Sequence, residues 1–271
     1  MTEHAGRVAL VTGGSSGIGR GVAPELAEQG ASVVVHGLVH DQAESVADEI
    51  RRFGRRAVAT AGPIGLAQTS ERAVELALDE FGGLDTLVTS AGIQWYGDVV
   101  ETSAEGWAEV FDTNVTGVFL AAHYALPFIR MSATGSVVIV SSVQATASQA
   151  GVPAYAASKG ALLALARAMA VDEGPHGVRV NSVSPGSVDT PMLRAAAARF
   201  TEDPDAIEKL VRNWGTAHPL GRVATPAEVG AVVSFLASPR ASFVSGDDVR
   251  VDGGLLSRLA AALPEPDAGS R

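Results

Sequence analysis

Tyr155 and Lys159 stand four residues apart in Tyr155-Ala-Ala-Ser-Lys159. On a helix that spacing puts both side chains on one face. An ammonium beside a phenol favours the phenolate and lowers its pKa from about 10, so the phenol can give or take a proton near neutral pH. Ser142 lies thirteen residues before Tyr155, at the end of the apolar run 136–140. Its hydroxyl could hydrogen-bond a carbonyl or alcohol oxygen, with Ser141 as the fallback. Together the three groups suggest proton transfer at a carbon–oxygen bond. A surface Tyr/Lys pair and a serine that merely ends a strand would leave the same letters. A second constellation, Thr12-Gly13-Gly14-Ser15-Ser16-Gly17-Ile18-Gly19, links the first apolar run to a helical stretch. Glycines there allow a sharp turn and close ligand approach, and free amides at a helix start suit a pyrophosphate. A tight turn without a ligand is the plain alternative.

Such motifs need a scaffold that ends strands beside helix starts. Short β-branched runs at 8–11, 32–35, 57–60, 84–88, 136–140, 178–183 and 248–251 read as strands. They are apolar on both faces, as buried parallel strands are. Helical stretches at 18–29, 41–53, 69–81, 103–130 and 153–172 alternate with them, and 190–200, 204–214 and 226–237 fill the long connection from 184 to 247. This alternation predicts an α/β fold: one doubly wound domain over 1–263, with a seven-stranded parallel sheet and helices on both faces. A substrate lid is expected at about 187–220 and a flexible tail at 264–271.

Composition narrows the function. The 271 residues are 46% hydrophobic and 18% charged, which supports a sizeable core. A net charge of -10 without a basic cluster argues against nucleic acid as a partner. There is no cysteine, which removes disulfides and thiolate chemistry, and the six histidines lack ligand spacing, so no metal is expected. Met1 to His4 lack a signal-peptide pattern, and no apolar run approaches the ~20 residues of a membrane span. A soluble cytoplasmic protein with no membrane partner is therefore expected.

The spacing Thr12-Gly13-x-x-x-Gly17-x-Gly19, joined to Ser142 and Tyr155-x-x-x-Lys159, resembles the short-chain dehydrogenase/reductase family. Asn114 in Phe111-Asp-Thr-Asn114-Val, the run Pro185-Gly186-Ser-Val-Asp-Thr190 and Val251-Asp252-Gly253-Gly254 extend the resemblance from residue 7 to about 256. It implies a Rossmann fold, NAD(P) as cofactor and hydride transfer between a secondary alcohol and a carbonyl. In it Tyr155 moves the proton, Ser142 orients the oxygen, Lys159 lowers the phenol pKa and grips the nicotinamide ribose, and Asn114 supports a proton relay. The resemblance also assigns Gly13, Ser15, Ser16, Gly17, Ile18 and Gly19 to the pyrophosphate side. Ser90, Ala91 and Gly92 fall by the adenosine ribose, and Pro185, Gly186, Val188 and Thr190 by the nicotinamide. It further implies a homotetramer or homodimer through helices 103–130 and 153–172. The apolar stretch Leu255 to Leu263 is another candidate interface.

Three departures mark this chain. Thr89-Ser90-Ala91-Gly92 stands where the family often has Asn-Asn-Ala-Gly, so close backbone approach survives but the asparagine does not. Pro63-Ile64 replaces Asp-Val, which alters the adenine contact while leaving Ile64 able to pack on the base. Val35-His36-Gly37-Leu38-Val39-His40 carries neither the aspartate of NAD-preferring members nor the arginine of NADP-preferring ones. With His36 or His40 as weak phosphate partners, the balance leans to NADP and the choice stays open. On the substrate side, Gln94 and Gln144 can each donate and accept, which suits a polyhydroxylated substrate, and Trp95 or Trp214 could stack on a sugar face. Rim residues satisfied by water would look the same. The expected reaction is oxidation of a sugar or polyol hydroxyl, or its reverse. A 3-oxoacyl-thioester, steroid or ketone reductase and a catalytically silent dinucleotide sensor are the alternatives.

Overall fold

Valine, isoleucine, leucine and alanine fill the strand runs because both faces of each strand are covered. In the computed structural model, which describes residues 2–259, the strands are β1 (Val8–Thr12), β2 (Ser32–Gly37), β3 (Ala57–Ala61), β4 (Thr86–Thr89), β5 (Ser136–Val140), β6 (Arg179–Pro185) and β7 (Asp248–Val251). They form one seven-stranded parallel sheet in the order β3-β2-β1-β4-β5-β6-β7. Alternate residues feed two cores. Val33, Val35 and Val138 pack beneath α1 (Gly17–Glu28), α2 (His40–Arg52) and α9 (Pro226–Ala237). Val34, Val137 and Ile139 pack beneath α3 (Ala67–Phe81), α5 (Gly117–Ile129) and α6 (Pro153–Glu173). Helices α1 and α9 cross at backbone distance: a Cβ on Gly230 would lie 2.6 Å from the Gly21 carbonyl oxygen.

The order reverses between β1 and β4, and at such a switch point the carboxyl ends of the strands open a crevice. The glycine loop, the segment after β4 and the segment after β5 meet there. The stretch 103–130, read from sequence as one helix, is divided into α4 (Ala104–Phe111), a π-helical turn at Asp112–Thr116 and α5. π turns inside α-helices collect at functional sites, and this one carries Asn114. The long connection after β6 holds α7 (Pro191–Ala198) and α8 (Pro204–Gly215) before α9. The expected tail at 264–271 and part of the Leu255 to Leu263 stretch lie outside the described residues; Leu255–Ser257 form a short 3-10 turn. Among the described residues no helix is long and apolar enough to cross a membrane.

Candidate active site

Strand β5 ends at Val140 and delivers Ser141 and Ser142 to the crevice, while Pro153 starts α6 two residues before Tyr155. The two serines have different work. Ser141 Oγ donates to the Lys159 carbonyl at 3.0 Å and ties β5 to α6. Ser142 Oγ instead accepts the Gln144 N–H at 3.1 Å, which leaves its own O–H proton to point elsewhere. Ser142 is therefore the serine with a hydroxyl to offer, as the thirteen-residue offset predicts.

Tyr155 and Lys159 are both buried, with 8% and 5% exposure. Lys159 Nζ donates to the Val140 carbonyl at 2.9 Å and lies 5.6 Å from the centre of the Tyr155 ring. Burial pushes the phenol up to about 12, with the Ser142 hydroxyl pulling it down and the Tyr96 phenol adding to the rise. Burial likewise pulls the Lys159 ammonium down to about 8. The Lys159 ammonium, expected from the sequence to lower the phenol, lies close to the Tyr155 ring. Desolvation dominates, and the Lys159 ammonium is bonded to a carbonyl rather than to the phenol oxygen.

Asn114, fully buried, is committed on both sides of its amide. Its Oδ1 accepts from Ile93 N–H at 2.8 Å, and Nδ2 donates to the Ile93 carbonyl and to Ser158 Oγ, each at 3.0 Å. Ser158 in turn donates to the Tyr155 carbonyl at 2.7 Å. The π turn thereby locks the segment after β4 to the start of α6. A Cβ on Gly92 would sit 3.3 Å from Asn114 Oδ1 and 3.6 Å from Lys159 Nζ, so Gly92, Asn114 and Lys159 converge.

The cofactor cradle can be tested on the chain's own atoms. Gly13 has φ +67, and a Cβ there would meet Ala91 N at 2.6 Å; a Cβ on Gly19 would lie 2.2 Å from the Gly13 carbonyl oxygen. The start of α1 has no side-chain cap at Ser16, so its first amides await an acceptor. A Cβ on Gly17 would lie 3.5 Å from Thr190 Cγ2, so the N-cap of α7 stands beside the glycine loop that holds Ser15, Ser16 and Ile18. Ser90 N–H donates to the Thr12 carbonyl at 3.0 Å. Buried Thr89 Oγ1, Thr69 Oγ1 and Ser70 Oγ lack partners. Uncapped amides, a glycine-lined cradle and unpartnered hydroxyls fit a dinucleotide phosphate and ribose.

Two cofactor candidates are spent otherwise. His36 is buried, its Nδ1 accepting Gly13 N–H at 3.4 Å and its Nε2 donating to the Gly62 carbonyl at 3.0 Å. Burial lowers its pKa, and a neutral ring with both nitrogens engaged has nothing to offer a ribose or phosphate. It braces the glycine loop. Ile64 is buried against α5, with its Cγ2 2.6 Å from where a Cβ on Gly117 would stand, so its side chain packs on a helix. Pro185 ends β6 and Gly186 follows it, its N–H donating to the Val251 carbonyl, and Val188 bridges to Ala224. His218, which spacing did not single out, fixes this turn: Nδ1 donates to the Asp252 carbonyl at 2.6 Å and Nε2 accepts Ser187 N–H at 3.4 Å.

Of the substrate candidates, Gln94 and Gln144 follow the neighbouring strands β4 and β5. Gln94 Nε2 and Gln144 Oε1 are buried without partners, one a donor and the other an acceptor. Trp95 lies across α4, its Cε2 2.6 Å from where a Cβ on Gly106 would stand. Trp214 is half-buried on α8, and no hydrogen bond or ring contact joins it to Ser142, Tyr155 or Lys159 among the described residues. Sequence reasoning gave no role to Arg199, whose guanidinium carbon lies 4.0 Å over the Tyr96 ring. Clefts of about 650 and 450 Å³ share His218, Pro219 and Gly254, and neither is lined by Ser142, Tyr155 or Lys159.

A family model described as enoyl-(acyl carrier protein) reductase matches residues 13–256. The chain is 37% identical over 255 residues to a cyclohexanol dehydrogenase of Acinetobacter sp. (strain SE19), covering 93% of this chain and 96% of that one. A hydroxynaphthalene reductase-like protein of Metarhizium majus (strain ARSEF 297) is 38% identical over 257 residues, covering 92% and 95%. Among solved structures, the ligand-free aldohexose dehydrogenase of Thermoplasma acidophilum superposes with a TM-score of 0.89 at 33% identity, covering 97% of this chain and 99% of that one.

Proposed function

Because the chain belongs to the short-chain dehydrogenase/reductase family, we propose that it is an NAD(P)-dependent oxidoreductase interconverting a secondary alcohol on a ring and the corresponding carbonyl. One observation carries the reading: a buried Ser142, Tyr155 and Lys159 at the carboxyl end of β5, beside an unpartnered donor on Gln94 and an unpartnered acceptor on Gln144. Tyr155, held near 12, keeps its proton at neutral pH and donates it to the carbonyl oxygen during reduction; in oxidation the alcohol proton passes from that oxygen back to the Tyr155 phenolate. Ser142, its oxygen already accepting from Gln144 N–H, donates its proton to that substrate oxygen and fixes its direction. Lys159, drawn to about 8, exchanges its proton near neutrality and sits by Gly92, where it can hold the ribose. Asn114 acts through position, holding the segment after β4 against α6. The dinucleotide, when bound, supplies or accepts the hydride.

A hydroxyl group both donates and accepts, so hydroxyls of the substrate could answer both Gln94 Nε2 and Gln144 Oε1. That supports a polyol or sugar over a plain alcohol. We take NADP as the dinucleotide, because no carboxylate ends β2 to repel a 2′-phosphate. The protein is proposed to be cytoplasmic and to assemble as a homotetramer or homodimer through α4, α5 and α6; Trp107 of α4 and Phe119 of α5 are exposed. The second reading, reduction of a 3-oxoacyl thioester or of an aromatic substrate, is supported by the acyl-carrier-linked substrate in the matched family description and by the hydroxynaphthalene named for the Metarhizium relative. Turnover of a panel of aldohexoses, polyols, cyclic alcohols, steroids and 3-oxoacyl thioesters, run separately with NAD and NADP, tests both. The expected result is oxidation of ring hydroxyls, fastest with NADP. Dinucleotide binding without hydride transfer across the panel would make the protein a sensor instead.

A further inference from the structure

The lid brings to the crevice a charged side chain that the reaction above does not use. Helix α7 starts at Thr190, beside Gly17 of the glycine loop, and ends at Arg199, stacked on Tyr96 in the segment after β4. It therefore straddles the crevice from the cofactor side to the substrate side. Tyr96 belongs to the same segment as Gln94, and its phenol lies within electrostatic reach of Tyr155.

Arg199 differs from the other arginines of this region in its partners. Arg194 pairs with Asp189 at 2.7 Å and Glu208 at 3.1 Å, Arg212 with Glu208 at 3.6 Å, and Arg222 with Glu228 at 2.6 Å. Among the described residues Arg199 has no carboxylate or carbonyl partner, in a chain with thirty acidic residues. The acids closest to Tyr96 along the chain are occupied locally. Asp98 Oδ1 accepts the N–H groups of Val100 and Glu101 at 2.8 and 3.0 Å, and Glu101 Oε2 accepts Asp98 N–H at 3.0 Å. Stacking engages the face of a guanidinium and leaves its edges, the fork that grips a carboxylate through two parallel bonds, unused. The ring also holds that fork in place, so less side-chain freedom is lost when an anion docks.

We propose that Arg199, held on Tyr96 at the outer end of α7, is a specificity-determining residue that takes a carboxylate of the substrate, which makes the substrate a ring-bearing hydroxy acid or oxo acid. The proposal rests on the dehydrogenase reading and deepens it by naming the substrate class. An alicyclic acid with hydroxyl and carboxylate on opposite sides of its ring would direct one group to Tyr155 and the other to the lid.

The test compares cyclohexanol with 4-hydroxycyclohexanecarboxylate on the full chain, as wild type, R199Q and R199K, with NAD and NADP in separate runs. The expected kcat/KM favours the hydroxy acid by about tenfold in wild type. R199Q should collapse that ratio through KM, R199K should fall between, and about 0.5 M salt should shrink the preference. Equal kcat/KM for the two alcohols in wild type, or an equal loss for both in R199Q, would overturn it and leave Arg199 a strut of the lid. Calorimetric titration of the dinucleotide-loaded protein with the same acid separates this outcome from failure of the dehydrogenase reading. Binding that R199Q abolishes, without turnover of either alcohol, keeps the anion subsite and removes the reaction; no binding in wild type removes the subsite.

Discussion

At the amino ends of the strands, the buried Arg7 guanidinium donates to the Ala237 and Thr134 carbonyls at 2.6 and 2.7 Å, to Thr86 Oγ1 at 2.9 Å and to His4 Nδ1 at 3.0 Å. Arg179 closes the last carbonyls of α9 at Leu236, Ala237 and Ser238. At the carboxyl ends of the same strands, Gln94 Nε2, Gln144 Oε1 and Thr89 Oγ1 are buried with no partner, and α1 starts without a side-chain cap. Both ends bury polar groups; the amino end bonds them within the chain, apart from Arg7 Nε, whereas the carboxyl end bonds Asn114, Ser141, His36 and Lys159 but leaves several others without a partner. Burying a polar atom without a bond costs stability. A concentration of such atoms at one end of a sheet therefore marks where a ligand completes the structure, while the saturated end holds the sheet together.

The largest expected effect sharpens the contrast from the carboxyl end. Tyr155→Phe should lower kcat by about 10²–10⁴-fold with dinucleotide binding and melting temperature nearly unchanged, read by turnover and by fluorescence titration. A variant that stays active would dismiss Tyr155 as the proton carrier. At the amino end the sign reverses: Arg7→Met should cost about 2–4 kcal/mol in urea unfolding, because several buried acceptors lose their donor, while the folded enzyme keeps its kcat. A stability change below the measurement error would show that the Arg7 bonds carry little.

Smaller is the effect at the unpartnered amides. Gln94→Leu and Gln144→Leu should leave stability level or raise it by under about 1 kcal/mol, since each removes a buried atom that has no bond. The ratio of kcat/KM for an aldohexose over cyclohexanol should fall about tenfold. Loss of stability in either variant would mean that the amides are structural, and the contrast between the two ends would weaken.

The smallest effect is a pH dependence at the amino end. His4 is pulled to about 4 by burial and by the Arg7 charge. Between its ordinary value of 6.5 and about 4, the unfolded chain binds a proton that the native chain refuses, so stability falls as pH falls through that window. By about pH 5.8 the loss should be about 1 kcal/mol, and His4→Gln should flatten it. An unchanged slope in His4→Gln would assign the acid sensitivity to other groups.

The strand runs were legible because both of their faces are buried: Val8 to Val11 and Ser136 to Val140 carry apolar side chains in both directions, a pattern that exposed loops do not produce. Tyr155 and Lys159 could be read because one helix turn sets their relation, and Gly13, Gly17 and Gly19 because their close approaches are local to one loop. Helix 103–130 was read whole, since nothing in its periodicity signals the π turn that Asn114 requires to reach Ile93. His36 and Ile64 sit at the expected positions along the chain but face inward, and facing is decided by Gly62 and Gly117 on other elements. Tyr96 and Arg199 lie more than a hundred residues apart, so no spacing rule joins them.

Short-range geometry is what the amino-acid sequence alone determined: the alternation of strands and helices, the glycine loop, the Ser142, Tyr155 and Lys159 group, and the absence of thiol chemistry. Tertiary structure decided which nitrogen of which histidine is engaged, that Tyr155 and Lys159 are both buried, and that Gln94 Nε2 and Gln144 Oε1 are left without partners. The physical reason is that desolvation and hydrogen-bond satisfaction depend on everything that surrounds an atom. Those surroundings come from distant parts of the chain and exist only once it has folded.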